Sequence, residues 1–397
     1  MIVDSSALPE QVVQDALASA FDSAGQRCSA LRVLCLQEDI ADTVLAMLRG
    51  ALAEWSIGVP DRLSVDVGPV IDEGARKVLR DHVETMRAAG CTVYPMPIGA
   101  ALRDSLACGT FMLPTVIEID SLAMLEREVF GPVLHVLRYR RSALPALVDA
   151  INAAGYGLTL GIHSRIDETI DFIIDRARVG NIYINRNIIG AVVGLQPFGG
   201  EGLSGTGPKA GGPLYLRRLQ KAPELVMAAP GNPVSLDSVT CVRPLLSSDV
   251  SPLTLPGPTG ERNTLTIVPR GVVLCLAPTA AALRHQLDAV IRTGNRAMII
   301  EAHATVLPQP LAPELTGRLA IIATDRLRDA EINAVLVDEM LARNYLEDIA
   351  ARDGALLSVI ITNPARPIDP YRLVSERTLT VNTTAAGGNA NLMTLGI

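Results

Sequence analysis

The sequence predicts an α/β protein with a mainly parallel sheet, followed by a second α/β domain. Three observations predict it. Helix-like and strand-like stretches alternate along almost the whole chain, as they do where crossover helices join parallel strands. Of the 397 residues, 49% are hydrophobic and only 19% are charged, so the chain can bury a large core and is not disordered throughout. A glycine-rich stretch and then a Pro/Ser/Gly-rich stretch break the alternation near the middle, before it resumes near Leu265. At roughly 150 residues per domain, this length suits two or three domains.

Taken in order, Met1-Ile2-Val3-Asp4 reads as the end of a strand. Ser6 is placed to cap a helix whose Pro9 suits the first turn. Val12, Val13, Ala16, Leu17 and Ala20 form an apolar stripe at helical spacing, and Gly25 ends that helix. A strand fits 30–36 and a helix about 40–53; a further helix fits 73–89 and a strand 91–94. Strand-like runs recur at 115–119, 133–138, 158–163 and 181–185, with helices between. Residues 194–213 hold eight glycines and three prolines and read as a shaped loop with a required backbone path. Residues 1–226 form the first expected domain, 227–264 a linker and 265–397 the second domain. Within the last, 271–278, 279–294 and 297–302 read as strand, helix and strand, and further strands fit 319–323, 334–337 and 356–362.

The composition narrows the chemistry. A net charge of -7 argues against a general nucleic-acid surface, and 3% aromatics, with the single tryptophan Trp55, are too few for a base-stacking platform. No transmembrane segment is expected: the most apolar run, 271–283, is short of the roughly 20 residues a span needs. The six cysteines, at 28, 35, 91, 108, 241 and 275, include no CxxC pair, so zinc-ribbon and thioredoxin readings fail. Cys35, Cys91 and Cys275 read as buried thiols, and a reduced, cytoplasmic setting follows. The five histidines have no metal-ligand spacing, so no metal is expected.

Three segments could carry chemistry. Cys28, beside Gly25 and Arg27, could be an exposed, electropositive thiol or one more buried one. In Glu126-Arg127-Glu128-Val129-Phe130-Gly131-Pro132, Glu128 and Phe130 stand two apart and point the same way in an extended chain; the plain alternative is a charged turn. The run Gly205-Thr206-Gly207-Pro208-Lys209-Ala210-Gly211-Gly212 has one residue too many for a GxGxxG fingerprint and no strand-to-helix setting. Its backbone N–H groups could clamp a carboxylate with Lys209 nearby, or the loop could simply cover a cleft.

In this order, Gly25-Gln26-Arg27-Cys28, Glu128-Val129-Phe130-Gly131-Pro132 and Pro197-Phe198-Gly199-Gly200 resemble the motif series of the aldehyde dehydrogenase superfamily. The stretch 204–216 narrows the resemblance to the L-glutamate-γ-semialdehyde (Δ1-pyrroline-5-carboxylate) dehydrogenase module of the proline utilization A proteins. It covers residues 1–226; residues 228–397 resemble the Rossmann-like C-terminal domain of the longer members.

The resemblance implies that Cys28 attacks the aldehyde as a thiohemiacetal, that hydride passes to NAD, and that water then hydrolyses a thioester to glutamate. It implies that the Cys28 N–H donates to the oxyanion, Glu128 holds the nicotinamide ribose, Phe130 lines the nicotinamide pocket, and Ser29, Gly211 and Gly212 hold the substrate α-carboxylate. It implies a homo-oligomer in the full-length protein, with FAD confined to a proline dehydrogenase part. In the family the general-base glutamate lies just ahead of the residues matching Met1–Asp4, so the chain resembles a fragment and is expected to be inactive alone. Two other readings are a non-catalytic interaction module and a dehydrogenase for another aldehyde. Ser29 and the Gly211–Gly212 pair favour a carboxylate-bearing substrate over the latter.

Overall fold

The computed structural model describes residues 1–219, 252–307 and 313–384. The chain divides into two compact units. One holds Met1–Leu195, Pro256–Asn263 and Leu379–Ile397; the other holds Gln196–Leu255 and Thr264–Thr378.

The first unit is built on a largely parallel sheet. Its strands run across the sheet in the order Asn181–Ile184, Thr159–His163, Ile2–Val3, Val33–Gln37, Val133–Tyr139, Thr115–Ile119 and Thr92–Pro95. Only the last pairing is antiparallel. The two-residue strand at the start of the chain sits mid-sheet, with Ile2 opposite both Cys35 and Ile162. Successive residues of these strands are buried, so the strands read as continuous apolar runs rather than alternating ones.

The helix Pro9–Phe21 buries the expected stripe, Val12, Val13, Ala16, Leu17 and Ala20. Ser6 does not cap it. The N-cap is Leu8, with no side-chain bond, while the Ser6 hydroxyl donates to Asp4 Oδ1 at 2.5 Å and accepts from the Arg165 N–H at 2.8 Å. A nearby carboxylate outcompetes the helix end for this hydroxyl, and proline removes one of the N–H groups that a cap would serve. Asp72 does cap the helix Glu73–Ala88, accepting from the Ala75 N–H at 2.7 Å. The strand expected at 30–36 begins at Val33, because the Leu31 N–H turns back to the Ser19 carbonyl at 2.8 Å.

The second unit holds a five-stranded parallel sheet in the order Leu319–Ile322, Arg296–Ile300, Val272–Leu276, Ala334–Asp338 and Ser358–Thr362. In chain order this is 3-2-1-4-5, a doubly wound, Rossmann-like arrangement. The helix Ala280–Arg292 crosses between the first two strands, buries Leu283, Leu287 and Val290, and is capped by Thr279. The helix Ala342–Ala350 was not foreseen from sequence.

Within the expected linker, 227–251 lie outside the described residues. Its last part is not linker-like: Leu253–Leu255 is a strand, and a nine-residue strand, Glu261–Pro269, starts inside it with Asn263 and Leu265 buried. No helix among the described residues is long and apolar enough to cross a membrane. Cys35 and Cys275 are buried and Cys91 is half-buried, whereas Cys28 and Cys108 are exposed; Cys241 lies outside the described residues.

Candidate active site

Cys28 follows an unusual turn. After Phe21 the chain tightens into a 3-10 turn over Asp22–Gly25, in which Ser23, Ala24 and Gly25 take φ of 56°, 53° and 63°. Left-handed backbone at a residue with a side chain costs on the order of 1–2 kcal/mol, so the surroundings must hold this turn in place. At Gly25 they also forbid a side chain. A Cβ there would lie 2.3 Å from the Gly131 carbonyl oxygen and 2.7 Å from that of Ala20. Glycine thus lets the cysteine turn press directly onto the Phe130-Gly131-Pro132 turn. Beyond it, the Ala30 N–H donates to the Arg27 carbonyl at 3.0 Å, closing a turn that leaves Cys28 exposed and Ser29 buried.

Arg32 ties these pieces together. Its side chain is only 16% exposed. It donates to the carbonyls of Gly25 at 2.6 Å and Arg27 at 3.0 Å, and its Nε donates to Glu128 Oε1 at 3.1 Å. Its guanidinium also lies 4.7 Å from the Phe130 ring centroid. Burial lowers its pKa, which the Glu128 carboxylate opposes, and the Cys28 thiol is close enough to join in. Cys28, Glu128 and Phe130 are therefore brought around one guanidinium. Glu128 and Phe130 point the same way, as their spacing suggests, and both touch Arg32. Sequence reasoning missed Arg32; the signal was a charged residue in the otherwise apolar run 30–36.

Gly211 and Gly212 belong to the second unit, where the glycine-rich loop is tightly organised. Phe198 and Ala210 pair as a short antiparallel bridge, with N–H to carbonyl distances of 3.0 and 2.9 Å. Lys209 is 3% exposed; its backbone N–H donates to Glu376 Oε2 at 2.7 Å, and its ammonium turns to the Gly199 carbonyl. Burial brings the Lys209 pKa down to about 7, against the pull of Glu376 and Glu201. Gly211 is left-handed, at φ +72°, and a Cβ on Gly212 would stand 2.6 Å from Glu376 Oε1. The Gly212 N–H is already given to the Lys209 carbonyl at 3.0 Å. No hydrogen bond from the Gly211 N–H is found among the described residues, so of the pair it is the better placed to meet an anion.

The sequence profile of the aldehyde dehydrogenase family matches residues 1–222. The chain belongs to the aldehyde dehydrogenase family. Among aldehyde dehydrogenase relatives, the bifunctional protein PutA of Salmonella typhimurium is 48% identical over 436 residues, covering 100% of this chain and 33% of its own length. The 1-pyrroline-5-carboxylate dehydrogenase of Geobacillus thermodenitrificans is 36% identical over 54% of this chain and 41% of its own. A crystal structure of a bifunctional proline utilization A protein superposes with a TM-score of 0.51 at 52% identity, over 55% of this chain and 21% of that one. The proline utilization A of Corynebacterium freiburgense gives a TM-score of 0.66 over 96% of this chain and 38% of its own; at 24% identity it speaks for the fold alone. The chain thus spans about a third of the length of the PutA relatives.

Proposed function

We propose that this chain is the nucleophile-bearing portion of a NAD-dependent dehydrogenase that oxidises L-glutamate γ-semialdehyde to L-glutamate. The observation that carries the proposal is the exposed Cys28 on a strained, buttressed turn, with Arg32 joining that turn to Glu128 and Phe130. The motif series and the relatives named PutA and 1-pyrroline-5-carboxylate dehydrogenase support the substrate assignment.

The Cys28 sulfur adds to the aldehyde carbon, and the new oxyanion sits against the Cys28 N–H. Arg32 keeps a positive charge beside the sulfur and fixes the turn that presents it. Ser29, buried next to Cys28 in the chain, is assigned to the substrate α-carboxylate. Glu128 and Phe130 fit a nicotinamide nucleotide. The Glu128 carboxylate is 39% exposed and has one oxygen held by Arg32, which leaves acceptor capacity for ribose hydroxyls. The Phe130 ring is 44% exposed. When bound, NAD supplies the acceptor for the hydride that leaves the aldehyde carbon. Water then releases glutamate from Cys28.

The same reading places the protein in the cytoplasm as a homo-oligomer and predicts negligible NADH formation by the 397-residue chain alone. The test uses the chain joined to the remaining length of a PutA relative. Glutamate γ-semialdehyde should exceed propanal in kcat/KM by about 100-fold, as expected when a site built for a carboxylate loses it. Cys28→Ala should abolish turnover. Equal use of propanal, or turnover without Cys28, would overturn the assignment.

A further inference from the structure

The second unit contains a cavity of about 810 Å³ that the dehydrogenase reading does not use. Gly211 and Gly212 are not among its lining residues. Its walls come from the loop 199–209, the helix Pro213–Leu219, the segment 365–376 and the segments that lead into three parallel strands. Arg270 precedes the strand Val272–Leu276, Asn333 precedes Ala334–Asp338, and Leu357 precedes Ser358–Thr362. The cavity therefore lies at the amino ends of the strands. Doubly wound sheets take nucleotides at the carboxyl ends, so this is not a nucleotide crevice inherited with the fold.

Its charge is unbalanced. Six basic side chains line it against three carboxylates, Glu201, Asp369 and Glu376. Asp369 and Glu376 are largely engaged, while Glu201 keeps one buried oxygen unpartnered among the described residues and its charge acts on Arg270. Asp369 holds Arg217 through two bonds of 3.3 and 3.1 Å, and Glu376 accepts from the backbone N–H groups of Lys209 and Leu214. Arg218, Arg270 and Arg372 are left close to one another. The charge of Arg218 depresses the pKa values of both Arg270 and Arg372, on top of their burial. Arg270 and Arg372 are anchored through carbonyls: Arg270 Nε donates to the Arg372 carbonyl at 2.8 Å, and Arg372 Nη2 donates to that of Val359 at 3.0 Å. The Arg372 Nε is buried without a partner, and Arg218 has neither a hydrogen bond nor an ion pair among the described residues. Glu201 and Glu376 offset part of the repulsion at Arg270 and Asp369 part of it at Arg372, and a bound anion would offset the remainder.

We propose that this cavity is a binding site for a small polyanion carrying two or more phosphate or carboxylate groups, held by Arg218, Arg270 and Arg372. Planar guanidiniums meet both kinds of oxyanion with paired N–H donors. The volume falls in the range of roughly 300–1,000 Å³ that small-molecule sites occupy, and it exceeds what a lone phosphate fills. Because the cavity is separate from the residues assigned to aldehyde oxidation, the site stands whether or not that assignment does.

The test is calorimetric titration of the 397-residue chain with pyrophosphate and, separately, with citrate, at ionic strength held constant with sodium chloride. At least one probe should bind saturably with a Kd below about 1 mM. Tighter pyrophosphate points to a phosphate-bearing ligand and tighter citrate to a polycarboxylate. Among the described residues Arg218 has no protein partner to lose, so Arg218→Gln should melt like the parent chain yet weaken the better probe by at least about tenfold. Arg372→Lys, which keeps the charge and loses the fork, should weaken it by a smaller factor. No saturable binding of either probe up to about 10 mM, or a Kd unchanged by Arg218→Gln, overturns the proposal.

Discussion

Replacing Arg32 by methionine keeps most of the buried stem and removes every donor. The parent side chain, 16% exposed, donates to two carbonyls at 2.6 and 3.0 Å, at longer range to a third, that of Gly131, at 3.4 Å, and to a half-exposed carboxylate at 3.1 Å. Each carbonyl left without its donor costs about 1–1.5 kcal/mol, and the Glu128 pair contributes about 0–1 kcal/mol because solvent screens it. The variant should therefore be less stable by about 2–4 kcal/mol. The left-handed turn at Ser23 and Ala24 would lose its brace, and Cys28 would lose the guanidinium cation beside it. Denaturant unfolding reports the first effect. The second is read by iodoacetamide labelling followed by peptide mass spectrometry, with the exposed Cys108 as an internal standard. Labelling of Cys28 should slow by about three- to tenfold while Cys108 is unchanged. Arg32→Lys should recover part of the labelling rate but little stability, since lysine lacks the fork. A stability change under about 0.5 kcal/mol with an unaltered Cys28 rate would refute the bracing role.

Other consequences are independent of that one. Gly25→Ala should destabilise by more than about 2 kcal/mol and alter Cys28 labelling, because the added Cβ meets a carbonyl oxygen at 2.3 Å as well as a left-handed φ; a neutral result in unfolding would contradict the close approach. His135 donates from Nδ1 to the Arg32 carbonyl (3.1 Å) and shares a hydrogen bond between its Nε2 and that of His82 (2.8 Å), and burial brings its pKa down to about 4. Between about pH 6.5 and 4 the unfolded chain then binds a proton that the folded chain refuses, so stability falls with pH by up to about 3 kcal/mol at this site. Buried His163, with a pKa of about 4, acts in the same direction; Asp15, raised to about 6 by burial, acts oppositely as pH rises from 3.8 to 6. Unfolding curves at pH 7 and 4.5 should show a smaller difference in His135→Asn than in the parent, and an equal difference would rule the site out. Asn295→Ala should cost about 2–4 kcal/mol, because the buried amide bonds Gly271 N, Thr293 Oγ1 and the Leu373 carbonyl; a loss below about 1 kcal/mol in denaturant unfolding would contradict that network.

What was legible in the sequence depended on where each residue's partners lie. The strand Thr115–Ile119 was read correctly because a β-branched run is bounded by Pro114 on one side and Asp120-Ser121 on the other. The helix Pro9–Phe21 announced itself by its stripe. The strand Val374–Asn382 was invisible because its inward set includes Glu376, Thr378 and Thr380, inverting the usual apolar alternation. Those polar groups are satisfied from far along the chain: Glu376 by Lys209, Thr378 by the Pro197 carbonyl and Thr380 by Asn263. The site shows the same division. Cys28, Glu128 and Phe130 could be singled out from local motifs, whereas Arg32 stood out only as a charge in an apolar run, and its role was not legible because its Glu128 partner lies 96 residues away. The backbone donors of the two consecutive glycines were not legible in the sequence. The chain turns the Gly212 N–H onto Lys209, and no pattern of glycines reveals that.

The central claim is that the turn at Cys28 presents a preassembled nucleophile. Acyl transfer from p-nitrophenyl acetate tests it most directly, because it needs the thiol but neither NAD nor a hydride step. With the 397-residue chain, acetyl should accumulate on the Cys28 peptide at least about ten times faster than on Cys108, and Arg32→Met should lessen that difference. Acylation of Cys28 and Cys108 at equal rates would contradict the account.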